Sequence, residues 1–307
     1  EKELYSSNAT IKNLRMKKVI VGMGEILWDV FPSGKVLGGA PANFAYHVNQ
    51  TGHKGSVISA IGEDDLGREI LDHLSNKNLP HIIQHVDHPT GTVQVTLNKK
   101  GIPTYKITDK VAWDFIEFTP LVEELAQKTS AVCYGTLAQR NYVTRSTFFR
   151  FFKSMPAEGL KIYDINLRQN YYSKNIIEES LFIANILKIN DEELEILSDL
   201  IRVSGDETER CQQIRDQFSL DMVILTKGTG GSHIITEKYN SFLDTPQVSV
   251  EDTVGAGDAF TAAFIASYLD GDTIETAHRH AVNVSAFVCT KKGAMPPYDY
   301  LNLTLNL

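Results

Sequence analysis

The stretch Asp252-Thr253-Val254-Gly255-Ala256-Gly257-Asp258-Ala259-Phe260 places flexible backbone, a helix start and a carboxylate at one point of the chain. Gly255, Ala256 and Gly257 have little or no side chain, so their backbone N–H groups can turn toward one anion. The apolar run from Ala259 to Tyr268 predicts a helix whose positive dipole end adds to this anion site. Asp258 is a candidate base for a hydroxyl that loses its proton as it attacks. Asp is also a common helix cap, and this stretch alone leaves both roles open.

Composition and charge restrict the class of protein. A chain of 307 residues, 42% hydrophobic and 22% charged, is typical of one large globular domain or two smaller ones. The net charge of -8 argues against nucleic acid or an anionic membrane as a partner. Cys133, Cys211 and Cys289 are widely spaced, so the sequence indicates neither a disulfide framework nor a zinc site. A protein of the reducing cytoplasm is therefore expected. Residues 1–15 are polar and aperiodic, and we expect a disordered extension ahead of one folded unit over residues 16–307.

Apolar strand-like runs alternate with helical patterns along the chain. Such alternation predicts a three-layer α/β/α fold, in which a mostly parallel sheet is covered by helices on both faces. We expect strands at 18–22, 56–61, 131–134, 161–165 and 222–226, a hairpin-like stretch at 232–246, and helices at 41–50, 65–76, 121–127, 145–152, 176–186, 191–198, 207–218, 257–268 and 273–290.

The segment between Thr90 and Trp113 has a different pattern. Residues 92–97 alternate strictly between apolar and polar, and 104–107 follow after the turn Asn98-Lys99-Lys100-Gly101. This pattern is typical of a half-exposed hairpin. We therefore expect a small antiparallel sheet that projects from the main body.

A second glycine cluster, Gly38-Gly39-Ala40-Pro41-Ala42-Asn43, opens the first well-defined helix. It allows a close backbone approach and adds an amide side chain one turn into the helix. Polyols need such mixed donors and acceptors, and Asp29 could accept hydrogen bonds from sugar hydroxyls. An ordinary turn and a solvated loop carboxylate are the alternatives.

Three further polar segments follow predicted strands or begin predicted helices. Asn190-Asp191-Glu192-Glu193 fits a capping box, and it also fits a pair of oxygen ligands for hydrated Mg²⁺. Asp164-Ile165-Asn166-Leu167-Arg168 leaves a strand at its carboxyl end, where open α/β sheets bind ligands. The glycines of the segment from Thr226 to Ser232 either let the chain pass close to a nucleotide or form a flexible turn.

The sequence lacks several common catalytic motifs. It has no G-x-x-x-x-G-K-[ST] and no strand-linked G-x-G-x-x-G, which disfavours a P-loop NTPase and a dinucleotide enzyme. It also has neither H-E-x-x-H nor G-x-S-x-G, so hydrolase chemistry is not indicated.

With both glycine clusters in place, the chain resembles the ribokinase-like (PfkB) family of carbohydrate kinases from about Val19 to Pro297. The resemblance implies a β-sheet lid, formed near residues 26–37 and 90–113, and ATP-dependent phosphorylation of a sugar hydroxymethyl group. By this resemblance Asp258 is the catalytic base, and Gly255, Ala256 and Gly257 form the anion hole. The other implied roles are sugar binding by Asp29, Gly38, Gly39, Asn43, Gln139 and Arg168, nucleotide binding by Thr226, Gly228, Gly230 and Asn283, and organisation of phosphates and Mg²⁺ through water by Asn190 and Glu193.

Three segments are most similar to fructokinases within that family: 24–29, 135–140 and 164–169. Fructose is therefore the expected substrate, with 2-keto-3-deoxygluconate or another sugar as the alternative and an inactive sugar-binding regulator as the non-enzyme alternative. A nucleoside is less favoured, since Trp28, Phe31 and Trp113 do not specify a purine. The resemblance also implies K⁺ held by backbone carbonyls at Asp252, Val254, Val288, Lys291 and Gly293, and the exposed lid face suggests a homodimer.

Overall fold

A nine-stranded sheet runs through the protein and carries the predicted alternation of strands and helices. The structure, a computed structural model, describes residues 16–97, 103–300 and 302–303. The strands of this sheet are β1 (Val19–Met23), β4 (Lys54–Gly62), β5 (His81–Val86), β8 (Thr129–Gly135), β9 (Leu160–Asp164), β10 (Ile186–Asn190), β11 (Met222–Thr226), β12 (Ser232–Thr236) and β13 (Asn240–Leu243). Their order is β13-β12-β11-β10-β9-β8-β1-β4-β5. The strands from β11 to β5 are parallel, and β12 and β13 add an antiparallel edge.

Helices cover both faces of this sheet. They are α1 (Ala40–Gln50), α2 (Asp65–Asn76), α3 (Pro120–Ala126), α4 (Tyr142–Ser154), α5 (Lys174–Ile183), α6 (Asp191–Ile201), α7 (Glu207–Phe218), α8 (Ala256–Leu269) and α9 (Ile274–Cys289). Successive strand residues point to opposite faces. Ile20 belongs to the core with α1, α8 and α9, whereas Val21 belongs to the core with α4 to α7. The predicted three-layer α/β/α fold is confirmed.

Two strands of the sheet were not expected from the sequence. The predicted helix at 176–186 ends at Ile183, and Ile186 begins β10. That strand carries Lys188 among apolar residues, which hides the pattern of a buried strand. β5 contains two His and one Gln, because it is an edge strand with one side of its backbone free of other strands.

A second, four-stranded sheet is built from the two segments assigned to the lid. Its strands are β2 (Leu27–Phe31), β3 (Gly34–Gly38), β6 (Gly91–Leu97) and β7 (Pro103–Ile107), in the order β3-β2-β6-β7. The outer pairings are antiparallel, but β2 and β6 pair in parallel. The expected sheet is therefore mixed, because its two hairpins meet after separate passages of the chain through the main body. Val36 and Tyr105 of this sheet are exposed.

Arg140 anchors the small sheet to the main body. Its guanidinium donates to both carboxylate oxygens of Asp114, at 2.7 and 2.8 Å, and to the Thr108 carbonyl at 2.7 Å. It also stacks over the rings of Trp113 and Tyr171. The end of β7 is thus held against the loop that follows β9.

The outcomes for the N-terminal extension, the cysteines and membrane spans are as follows. The predicted extension at residues 1–15 and the predicted turn at 98–101 lie outside the described residues. Cys133, Cys211 and Cys289 are all free thiols. In the described part of the chain, no helix has the length and apolar character needed to span a membrane.

Candidate active site

Helix α8 begins at the glycine cluster of residues 255–257. Gly255 precedes the helix in the left-handed region with φ 78°. A Cβ at this position would lie 2.7 Å from Cβ and 2.9 Å from the carbonyl oxygen of Ala294. The N–H groups of the first helical turn have no partner within the helix, although the Ala256 N–H donates to the Thr253 carbonyl at 3.3 Å. The glycine lets the chain turn tightly enough to present them to an anion.

The two glycine clusters meet at a single hydrogen bond. Asn43 Nδ2 on α1 donates to Asp258 Oδ2 on α8 at 2.8 Å. Asn43 is placed by Gly39, which has φ 119° and lies so close to the chain before β2 that a Cβ on it would be 2.5 Å from the Glu25 carbonyl oxygen. Any side chain at that position would displace α1. Residues far apart in the sequence therefore form one site at the carboxyl ends of the parallel strands.

Asp258 has the proton affinity of a base that works near neutral pH. Burial raises its pKa, and the carboxylate of Asp164 raises it further. The Asn43 hydrogen bond, Lys188 and Arg168 oppose the rise, and the resulting pKa is about 7. A general base is most effective when its pKa lies near the working pH.

Asp29 and Arg168 lie on the small-sheet side of the site. Asp29 is on β2, half-buried, and its Oδ2 atom approaches Gly38 so closely that a Cβ there would be 2.5 Å away. Burial raises the pKa of Asp29, and the charge of Arg168 lowers it. Arg168 is exposed on the loop after β9. Hydroxyl-binding groups of both signs are thus available beside Asp258.

The side chain of Gln139 is buried and bonds to residues outside the proposed sugar site. Its Nε2 atom donates to the Gly135 carbonyl at 3.0 Å and to Ser180 Oγ at 2.9 Å, and the Ser180 hydroxyl donates to the Ile176 carbonyl at 2.7 Å. The side chain is 3% exposed. The predicted role of Gln139 in sugar binding is therefore not supported, because the side chain is buried and its NH₂ group donates to partners inside the protein.

Asn190 and Glu193 form the capping box that the sequence left open as an alternative. Asn190 Oδ1 accepts from the Glu193 N–H at 2.8 Å, and Glu193 Oε2 accepts from the Asn190 N–H at 3.0 Å. Glu193 Oε1 accepts from the Leu167 N–H at 3.0 Å. One carboxylate oxygen of Glu193 thus caps α6, and the other holds the loop after β9 in place. Among the described residues, no three His, Cys, Asp or Glu side chains converge on a metal-sized space.

The residues assigned to the nucleotide lie on three elements: the end of β11, the short 3₁₀ helix that follows it, and α9. Thr226 ends β11, and Gly228 with φ 50° begins the short 3₁₀ helix Gly228–Gly230 that follows. Asn283 lies on α9, and its Oδ1 atom has no hydrogen-bond partner within the described residues. A buried, unsatisfied amide oxygen suits a ligand that donates a hydrogen bond.

The segments assigned to K⁺ are brought together by one carboxylate. Asp252 Oδ1 accepts from the Val254 N–H and Oδ2 from the Gly293 N–H, both at 3.0 Å. The Val288 carbonyl accepts from the Lys291 N–H at 3.0 Å. The loop ahead of α8 is therefore tied to the turn after α9.

Sequence reasoning missed two charged residues of the site. Lys188 is 8% exposed, and its Nζ atom lies 3.2 Å from Asp164 Oδ1. A lysine inside an apolar strand was the available signal, because lysine is rarely buried without a partner. Glu25 is 4% exposed, and the sequence motif that contains it gave it no role. The available signal was a carboxylate that follows the buried strand β1 and Gly24.

Comparisons with known proteins show which family and which relatives this chain resembles. The model of the pfkB family carbohydrate kinases matches residues 26–300. A Pyrococcus horikoshii protein named as a sugar kinase is 29% identical over 95% of this chain and 92% of its own length. A fructokinase of Salmonella typhimurium is 28% identical over 91% and 95%.

Two solved structures share the fold. The fructokinase of Xylella fastidiosa with bound ATP has a TM-score of 0.81 at 21% identity, and covers 94% of this chain and 98% of that one. A double mutant of the Vibrio cholerae fructokinase, with fructose, ADP and potassium bound, has a TM-score of 0.77 at 24% identity, covering 92% and 95%.

Proposed function

The chain belongs to the pfkB family of carbohydrate kinases, and we propose that it transfers the γ-phosphoryl group of ATP to the hydroxymethyl group of fructose, giving fructose 6-phosphate and ADP. The observation that carries this proposal is the Asn43–Asp258 hydrogen bond. It holds a candidate base in front of the α8 N-terminus, so that one pocket offers a proton acceptor and a set of anion-binding N–H groups.

In the proposed reaction, Asp258 takes the proton of the sugar hydroxyl as its oxygen attacks the γ-phosphorus. One O–P bond forms while the bond from the γ-phosphorus to the bridging oxygen of ADP breaks. The N–H groups around Gly255, Ala256 and Gly257 stabilise the charge on the transferring group. Asp29, Gly38, Gly39, Asn43 and Arg168 hold the sugar, and the four-stranded sheet serves as the lid that excludes water.

We assign ATP and Mg²⁺ to polar residues that the proposed sugar site does not use. We assign the nucleotide to Thr226, Gly228, Gly230 and Asn283, since the Asn283 amide oxygen is buried and unsatisfied among the described residues. Mg²⁺ keeps most of its water, so Asn190 and Glu193 would hold it through water while their capping bonds persist. When bound, the metal neutralises phosphate charge.

Fructose is proposed from the relatives named fructokinases and from the three fructokinase-like segments. Arg168 also favours a second candidate, 2-keto-3-deoxygluconate, because its exposed guanidinium can pair with a carboxylate. We expect ADP formation in a coupled assay to be fastest with fructose in a panel with ribose, tagatose, adenosine and 2-keto-3-deoxygluconate. A kcat/KM for fructose well below that of another acceptor would overturn the choice of sugar, and no turnover with any acceptor would overturn the kinase assignment.

The pH profile follows from the pKa of Asp258, about 7. Only the ionised carboxylate accepts a proton, so kcat/KM is expected to fall as the pH drops through about 7. The measurement is kcat/KM against pH under saturating ATP, with the coupling enzymes in excess at each pH. A profile that stays flat down to about pH 5 would contradict this assignment.

Two further expectations remain predictions. We propose that K⁺ binds between the loop at Asp252–Val254 and the turn at Lys291–Gly293, where the Asp252 carboxylate already joins the two segments. We also propose that two chains pair through the small sheet, in which the side chains of Val36 and Tyr105 are exposed.

A further inference from the structure

Glu25 is a buried carboxyl to which the proposed reaction gives no task. It follows β1 and Gly24, and it is 4% exposed. Its backbone is fixed, because the Gly24 N–H donates to the Ile58 carbonyl at 3.1 Å and Ser59 Oγ donates to the Gly24 carbonyl at 2.6 Å. Within the described residues, Glu25 Oε2 has no hydrogen-bond partner. Buried carboxylate oxygens are normally satisfied, so this one requires an explanation.

A small cavity joins Glu25 to Asp258. Both residues line it, together with Cys133, Asp164 and Asn166. Its volume of about 10 Å³ leaves room for about one water molecule. Both residues therefore line one partly open cavity with room for a single water.

The other charged groups around this cavity are already compensated or neutral. Asp164 on β9 is paired with Lys188 of β10 at 3.2 Å. Burial raises the pKa of the Cys133 thiol on β8 well above its usual value, so the thiol stays protonated near neutral pH. Arg168, on the loop after β9, favours ionisation of both carboxyls at the cavity. Glu25 and Asp258 are the two remaining acids that line the cavity.

These two acids have matched proton affinities. Burial raises the pKa of Glu25 to about 7, and the charge of Asp258 contributes to that rise. Asp258 also has a pKa of about 7. Two interacting carboxyls whose pKa values are both raised lose their protons in two steps that belong to the pair.

We propose that Glu25 is a positioning residue for phosphoryl transfer: it shares one proton with Asp258 across the cavity and so sets the pH at which Asp258 accepts the proton of the sugar hydroxyl. The proposal rests on the proposed function, because that function gives Asp258 its task. Only O–H bonds change when the pair exchanges its proton. One carboxyl gives a proton to the intervening water, and the water gives one of its own to the other carboxyl.

The test follows the titration of the two carboxyls in the ligand-free protein and, separately, the pH dependence of kcat/KM. Carboxyl titration is followed by ¹³C NMR on ligand-free protein from about pH 4 to about pH 9, for the wild type, Glu25→Gln and Asp258→Asn. Glu63→Gln is the matched control, because it removes an exposed carboxylate directly after the neighbouring strand β4. The kcat/KM profile of Glu25→Gln and Glu63→Gln is then recorded with the best acceptor from the sugar panel.

We expect two coupled titration steps in the wild type. In Glu25→Gln and in Asp258→Asn, the remaining carboxyl should titrate in one step at lower pH, by roughly one pH unit. The acid limb of kcat/KM in Glu25→Gln should move down with it, so that a several-fold larger share of the plateau rate survives at about pH 6, while Glu63→Gln behaves as the wild type.

An unchanged titration of Asp258 in Glu25→Gln would overturn the proposal. If that variant does not fold, an unchanged titration of Glu25 in Asp258→Asn overturns it equally. If the carboxyls are coupled but no sugar is phosphorylated, the pair exists and the proposed function is what fails, so the two failures can be told apart.

Discussion

Replacing Asp258 by Asn is expected to lower kcat by about 10²–10⁴-fold, because the amide cannot accept the proton of the attacking hydroxyl. The hydrogen bond from Asn43 can persist, since the new amide oxygen lies where Oδ2 lay. Sugar binding should therefore remain nearly intact. The measurement is kcat in the ADP assay together with the Kd of the sugar by calorimetry. Asp65→Asn, at a side chain that is 86% exposed, is the control and should leave both unchanged.

The same variant makes a prediction about stability. The pKa of the Asp258 carboxyl is raised in the folded protein, so its ionisation destabilises the fold as the pH rises from about 4 to about 7. Asp258→Asn removes this cost, and we expect its Tm to exceed that of the wild type at pH 8 but not at pH 4. If Asp258→Asn keeps the wild-type turnover, Asp258 is not the catalytic base. If the wild type itself has no turnover with any sugar, the alternative of an inactive sugar-binding regulator is favoured.

Gly255→Ala is expected to damage both the fold and the rate. A left-handed Ala costs roughly 1–2 kcal/mol and the contact with Ala294 adds a similar amount, which predicts a loss of about 2–4 kcal/mol in the free energy of unfolding. Because the displaced segment carries the anion-binding N–H groups, kcat should fall about 10²-fold or more. Denaturant unfolding and the ADP assay measure the two effects.

Gly271→Ala is the matched control for this variant. Gly271 has φ 82°, close to the 78° of Gly255, but a Cβ there meets nothing within 4 Å. It should show the backbone strain without the contact and without the loss of kcat. Equal losses of activity in the two variants would show that the position of Gly255 is unimportant for the reaction.

The site residues that could be predicted are those with a short local signal. Asp258 and Asn43 each follow a glycine cluster at the start of a helix, and that local pattern can be recognised in a single sequence. Their contact could not be predicted, because it depends on how α1 and α8 pack against the sheet. Gln139 illustrates the converse: its residue type suits a sugar, but the side chain turns into the core toward Ser180.

Charged residues inside a strand or shortly after one were harder to predict. Lys188 interrupts the apolar pattern of β10, and only the fold reveals that Asp164 on the next strand compensates it. Glu25 carries no periodic signal, and its unsatisfied oxygen becomes visible only when the surrounding residues are placed. The layers of the fold, by contrast, follow from alternating apolar runs that need no partner to be recognised.

A crystal structure with fructose and a non-hydrolysable ATP analogue tests the role of Asp258 most directly. We predict a hydroxymethyl oxygen of the sugar about 2.6–3.2 Å from an Asp258 carboxylate oxygen, with the γ-phosphate against the N–H groups of Gly255, Ala256 and Gly257. A sugar bound with no hydroxyl near Asp258, or a γ-phosphate held away from the start of α8, would contradict the proposed mechanism.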